Sequence, residues 1–320
     1  MFPHPQNQQE AVKLNMKKQI RQEGNLWACV VVLGSVASNV IALVLSFLPY
    51  TIQNYINSDM GQLWTQIIYS IAVFTLPYFI VLAIRKQKIT DLVNFKWKKP
   101  SLSWPLIMLA LGASMVVNVL TSQFTSLLDA YGITVTAPNL AIPQGVFGAS
   151  LYLFALTVVP AVVEEFAFRG VILGSLKKYG SGYAIVVSSV LFGLMHGNIV
   201  QIPFAAVFGL VVGYIALATD SIIPCIIIHF LNNFVAGVEQ ITNQYASDRV
   251  STVVVYGCFL LYLVLGVIGF VMICKKYERP FDNIKEKSAL TVAESSKAAM
   301  LGAGFIIAMI YFGGAACLLL

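Results

Sequence analysis

The chain has 320 residues, of which 58% are hydrophobic and 11% charged, with a formal net charge of +6. A soluble domain carries about 25% charged residues, and a mean hydropathy of +0.80 leaves too little polar surface to cover a fold of this length. These figures exclude a soluble α/β enzyme, a disordered chain and a disulfide scaffold, and apolar runs longer than about 18 residues decide for membrane helices over an outer-membrane barrel.

Residues 1–25 are polar and mixed in charge, and the uncharged run 26–48 follows them. That run is too long, and its polar lead too long, for a signal peptide, so a retained helix is expected. Further spans are expected at 61–84, 102–122, 147–176, 182–202, 203–219, 222–240 and 252–274. The span 147–176 is interrupted by Glu164, Glu165 and Arg169. A charged segment, 275–297, reads as a cytoplasmic linker or surface helix, and the last run, 298–320, as a ninth span or a hydrophobic tail. The fold class is therefore all-α, a polytopic membrane helix bundle of about eight to nine transmembrane helices. The chain divides into an N-terminal cytoplasmic segment (1–25), a transmembrane scaffold (26–146), a core (147–240) and a C-terminal transmembrane region with its linker (241–320).

The basic residues orient the bundle. Sixteen of the 20 lie before residue 25, between Arg85 and Lys99, or between Lys275 and Lys297, whereas the connections 49–62 and 123–145 contain none. Alternation of basic and base-free connections is the positive-inside pattern. It predicts a multi-pass protein of the cell membrane with a cytoplasmic N-terminus, and accounts for the charge without nucleic acid. The lipid bilayer is the first partner implied. The five cysteines show no CxxC spacing and read as apolar core residues.

Ionisable groups at membrane depth cost at least about 2.5–3.5 kcal/mol each, so they default to a functional reading. Glu164, Glu165, His196 and His229 all fall in apolar spans. Glu165 and Arg169 are spaced i,i+4 and can pair on one helix face. Glu164 is turned about 100° away and has no partner on its own helix. Phe192 and His196, and His229 and Asn233, repeat the i,i+4 spacing. A carboxylate in a partly dry pocket is suited to take a proton from water. A nearby imidazole shares that work or polarises the substrate carbonyl, and a His–Asn pair supplies donors where an oxyanion develops. The pairs Gly170/Gly174, Gly193/Gly197 and Gly209/Gly213 would let such helices approach closely.

In order along the chain, Glu164-Glu165-Phe-Ala-Phe-Arg169 matches EExxxR, Phe192-Gly-Leu-Met-His196 matches FxxxH, and His229-Phe-Leu-Asn-Asn233 matches HxxxN. Together they resemble the three motifs of the CPBP (CAAX protease and bacteriocin-processing, or Abi) family of intramembrane glutamic endopeptidases, over about 147–240. The resemblance implies a peptidase with no cofactor or metal, whose site opens toward the cytosol. It implies that Glu164 is the general base, assisted by His196. His229 and Asn233 would bind the carbonyl oxygen, while Glu165, Arg169 and Phe192 support them. The partner implied is a membrane-associated peptide or protein substrate. Short loops and a compact chain suggest a bacterial source, where prenylated substrates are generally lacking. A homo-oligomer is compatible with all of this.

Other readings stay open at this stage. The polar pairs would also serve as helix glue, or the chain would be a non-catalytic bacteriocin-immunity or binding protein of the same fold. A zinc peptidase lacks its HExxH, and a proton-relay transporter lacks an inverted repeat. One geometric demand follows from depth. At ~1.5 Å rise per residue, His229 lies ~10 Å and His196 ~20 Å down their helices. They converge only if helix 182–202 is tilted, starts deeper or breaks near Gly197.

Overall fold

The computed structural model describes residues 5–135, 140–276 and 288–318. Every regular element among them is helical. The principal helices are α1 (Pro5–Leu45), α2 (Tyr50–Ile56), α3 (Asp59–Ile84), α4 (Pro100–Ala130), α5 (Gly145–Tyr179) and α6 (Ser181–Leu194). They continue as α7 (Gln201–Thr219), α8 (Ile223–Tyr245), α9 (Asp248–Lys276), α10 (Val292–Met300) and α11 (Ala303–Leu318). Seven of these are long and apolar enough to cross a membrane, or eight if α10 and α11, bent by 72°, count as one. The chain is a polytopic helix bundle.

Local chemistry sets the helix ends. The Ser58 hydroxyl accepts the Gly61 amide at the start of α3, Pro100 opens α4 where its missing N–H costs nothing, and Thr291 and Glu294 form a reciprocal capping box at α10. α5 is one span of unusual pitch, because π-helical turns at Phe154–Val158 and Phe166–Ile172 flank the α-helical stretch Val159–Glu165. The wider turns re-aim the side chains around Glu164 and Glu165.

One end of the bundle gathers the basic segments. Arg85 donates to both carboxylate oxygens of Glu23 at 2.7 and 2.6 Å, and Lys178 pairs with the same carboxylate at 3.6 Å. Lys98 pairs with Asp220 at 2.5 Å, and the Ile222 amide donates to Asn94 O at 3.1 Å. At the other, base-poor end, Gln244 and Tyr245 donate to the carbonyls of Ile142 and Pro143. A small apolar core there joins Leu63, Ile67, Ile142, Leu151, Tyr152, Ala155 and Val159. A much larger one fills the rest of the bundle around Trp27, Phe168, Tyr183 and Phe192.

Several sequence expectations change. Residues 5–25 of the polar N-terminal segment are helical and continue into the first span as α1. Its Ile20 and Glu23 are buried, and Arg21 Nε donates to Ala298 O on α10 at 3.3 Å. The span expected over 182–202 is the 14-residue helix α6, ~21 Å long and too short to cross ~30 Å of hydrocarbon. The last run is likewise short: the 16 residues of α11 follow α1, with Gly304 N donating to Asn25 Oδ1 and Asn39 Nδ2 donating to Tyr311 Oη. Of the linker 275–297, residues 277–287 lie outside the described residues, and α10 begins at Val292.

The glycine pairs also serve differently than their spacing suggests. Cβ atoms at Gly170 and Gly174 would collide with Val93 and with Leu92 O, so this pair receives a connecting segment instead of a helix. Gly193 and Gly209 do bring α6 and α7 together, against Ala206 and Ser189. Gly197 lies beyond the end of α6. The closest glycine crossing joins α4 and α9, where a Cβ on Gly112 would stand 2.6 Å from Gly266 Cα.

Candidate active site

α6 and α7 form a hairpin that descends from the basic end. The α6 helix stops at Leu194 because Gly197 adopts φ +59° and Asn198 Oδ1 accepts the amides of Val200 and Gln201 at 2.9 and 3.3 Å. A left-handed glycine followed by an Asx turn is a strong helix stop. His196 therefore sits in the hairpin tip, partway through the bundle, and the break expected near Gly197 is what brings it to the other groups. Gly197→Ala should cost about 1 kcal/mol of backbone strain. Because a displacement of about 1 Å at a reacting group costs up to about 10²-fold in rate, cleavage should fall far more than thermal stability in detergent. A parallel loss of both would make Gly197 merely structural.

α5 and α8 carry the charged groups. Glu165 is fully buried, and its Oε1 accepts from Arg169 Nη1 at 2.9 Å and from His229 Nδ1 at 2.8 Å. Arg169 Cζ stands over the Phe192 ring, 4.1 Å from its centroid. The Phe192 ring meets His196 and His229 edge to face at 5.0 and 6.0 Å, and Phe208 closes on His229 at 5.7 Å. The three motifs thus form one cluster around Phe192.

Hydrogen bonds assign the imidazole nitrogens. Phe192 O can only accept, so His196 Nδ1 donates to it at 2.7 Å, which leaves Nε2 of the neutral ring as an acceptor. His229 Nδ1 donates to Glu165, and its Nε2 stands 3.9 Å from Glu164 Oε2. Glu164, without a partner on its own helix, faces that nitrogen from α5. Asn233 Nδ2 donates to Leu156 O at 3.2 Å in the first π-helical segment, and its Oδ1 accepts from Asn232 at 3.4 Å. One N–H of Asn233 remains for a ligand.

Glu164, Phe192, His196, His229 and Asn233 all line one cavity of about 380 Å³. Glu165 and Arg169 stand behind it. The sequence reading passed over four more lining residues, Gln66, Gln201, Phe208 and Asn232. Gln66, Gln201 and Asn232 are uncharged amides, which do not stand out in an apolar span as an ionisable group does. Among the described residues, no three of His, Cys, Asp and Glu are grouped to hold a metal ion.

The profile of the type II CAAX prenyl endopeptidase Rce1-like family matches residues 146–235, the stretch that carries every residue of this cluster. These residues are similar to that CAAX-protease family. The chain is also similar to the membrane-embedded CAAX protease MroQ of Staphylococcus aureus (strain USA300), 26% identical over 220 residues, which cover 65% of this chain and 85% of that protein. No solved structure matches the chain. The family-model match and the apolar helices together support a membrane protease in general terms.

Proposed function

We propose that the chain is an endopeptidase that hydrolyses a peptide bond within a membrane-associated peptide or protein, with water activated by Glu164 and His196. The observation that carries this reading is the placement of a carboxylate, an imidazole Nε2 and an amide N–H on one partly polar cavity inside the bundle. Glu164 takes the proton of a water set between itself and the substrate carbonyl. The His196 Nε2 lone pair shares that proton and passes it to the leaving amine. The free N–H of Asn233 faces the oxygen on which charge develops, and His229, held through Nδ1–H by Glu165, donates to that oxygen only with its Nε2 protonated. Arg169 balances Glu165, so that His229 meets a fixed carboxylate and not a mobile one.

The Staphylococcus aureus relative is named as a membrane-embedded CAAX protease. Among the described residues the cavity lining carries no Lys or Arg to pair with a C-terminal carboxylate, which favours an internal bond over trimming from an end. The N-terminus is cytoplasmic in this reading, because the basic segments share one end of the bundle.

Cleavage of a quenched fluorogenic peptide of Leu, Ala, Val and Gly by the purified full chain tests the chemistry. The rate should be unchanged by EDTA and by 1,10-phenanthroline. A loss on chelation that zinc restores would replace the glutamate–histidine scheme with a metal one. A protein that binds such peptides without cutting any would instead be acting in immunity.

A further inference from the structure

A second cavity, of about 570 Å³, lies at the basic end of the bundle, outside the catalytic cluster. Its walls come from the connection between α3 and α4, the end of α5 and the turn after α7. Asn94 ties the first of these to the last: its Nδ2 donates to Asp220 O at 2.8 Å, and its O accepts the Ile222 amide at 3.1 Å. The volume falls within the range of small-molecule sites, about 300–1,000 Å³.

The uncommitted charge on this cavity is mainly positive. Lys98 is paired with Asp220 at 2.5 Å, whereas Lys96 and Lys177, on two separate segments of the lining, form no ion pair among the described residues. Asp91 is the other carboxylate of the described lining, one against these two lysines. Two unpaired ammonium groups on one cavity repel each other, and an anion between them removes that cost.

Depth selects the kind of anion. Trp97 and Trp104 pack ring against ring, 5.2 Å between centroids, and remain 37% and 50% exposed. Exposed tryptophans of a membrane protein favour the boundary between water and hydrocarbon. Lys96 and Lys98, which flank Trp97 in sequence, therefore lie at the level of lipid headgroups. Phe95, 52% exposed, adds an apolar wall to the same cavity. Ammonium donors beside an apolar wall suit a phosphate that carries glycerol and acyl chains better than a free phosphate, which is polar all round. The basic end is the cytoplasmic one in the orientation proposed above, where basic pockets between helices meet anionic lipid.

A buried donor points to the same place. A cleft of about 20 Å³ shares Leu92, Asn94, Lys177 and Asp220 with the cavity and reaches Arg169. Arg169 Nη2 is buried with no hydrogen bond among the described residues. A cleft of that size holds a water, which can accept from Nη2 and donate onward to an acceptor in the cavity. A phosphate oxygen is such an acceptor.

We propose that this cavity binds the phosphodiester headgroup of an anionic phospholipid, with Lys96 and Lys177 on the phosphate and Phe95 against the glycerol and chains. The site is independent of the proteolytic reading, because none of these three residues lines the cavity around Glu164.

Native mass spectrometry of the full chain, purified in an uncharged detergent and titrated with phosphatidylglycerol, measures the affinity for the first lipid bound. Lys96→Gln/Lys177→Gln should weaken it by about 30-fold, at about fivefold per lysine. Lys96→Arg/Lys177→Arg should bind as the wild type does. Lys13→Gln/Lys275→Gln removes the same charge from basic segments outside the cavity and should leave the affinity near the wild-type value. Equal weakening in the two glutamine variants would mean diffuse surface attraction and overturns the site, as does no weakening in either. Weakening in the arginine variant as well would mean that the lysines act through folding and not through charge, and overturns it too. Phosphatidylcholine bound as tightly as phosphatidylglycerol, or displacement of the lipid by inorganic phosphate, overturns the assignment to an anionic lipid.

Discussion

Glu164→Gln should lower peptide-bond cleavage by about 10²–10⁴-fold, the usual contribution of a positioned general base, while the protein inserts and unfolds as the wild type does. The side chain keeps its size and lines the same cavity. What it loses is the negative oxygen that faces His229 Nε2 at 3.9 Å and would draw the proton from water. No hydrogen bond ties Glu164 to the bundle among the described residues, so thermal unfolding in detergent should change little. Steady-state rates on the fluorogenic peptide, with the unfolding midpoint measured on the same preparation, check both halves. Wild-type rates in the variant would remove Glu164 from the chemistry. His196→Ala provides a second reading of the same site, because it removes the Nε2 acceptor while Phe192 O loses only one donor.

Arg169→Met should have the opposite signature, with stability lost first. Arg169 is 3% exposed and is one of two groups that hold the Glu165 carboxylate, which is 0% exposed. Breaking a buried ion pair by removing one partner costs about 3–5 kcal/mol, because the remaining charge stays buried with too few donors. The methionine also gives up the cation–π contact of the guanidinium with Phe192. The double variant Glu165→Met/Arg169→Met should recover most of that loss, since apolar replacement of a whole buried pair is close to neutral. It should nevertheless remain inactive, because His229 Nδ1 then has no carboxylate to fix the ring. Unfolding midpoints of the two single variants and the double form a cycle, and strict additivity would show that the pair is not coupled.

Much of this was legible in the sequence because a bilayer simplifies the code. A residue such as Glu164 in an apolar run needs a reason at any depth, and i,i+4 spacing alone pairs Glu165 with Arg169. Other features were hidden for reasons of geometry. The run 182–202 is apolar throughout, so hydropathy extends the helix through Gly197. What ends it is a left-handed glycine and the Asn198 turn, which hydropathy does not register. The spacing of Gly193 and Gly197 suggests a shared helix face, yet Gly193 packs tightly against α7 while Gly197 turns the chain. Asn232 adjoins Asn233 in sequence, and helical spacing assigns the two to different faces. Both still line the cavity, because it is wide enough to take in both.

The sequence by itself determined that this chain lives in a membrane as a helix bundle. Its 11% charged residues and its long apolar runs set that class together, and it names Glu164, Glu165, Arg169, His196, His229 and Asn233 as the groups that need explaining. Only the tertiary structure decided how they combine. Glu165 belongs as much to His229 on α8 as to Arg169 on its own helix, and the cavity lies on one side of the cluster. Both follow from where α5, α8 and the α6–α7 hairpin cross. Spacing within one helix fixes which residues share a face, whereas the partner of that face is set by packing between segments distant in sequence, as the 64 residues between Glu165 and His229 show.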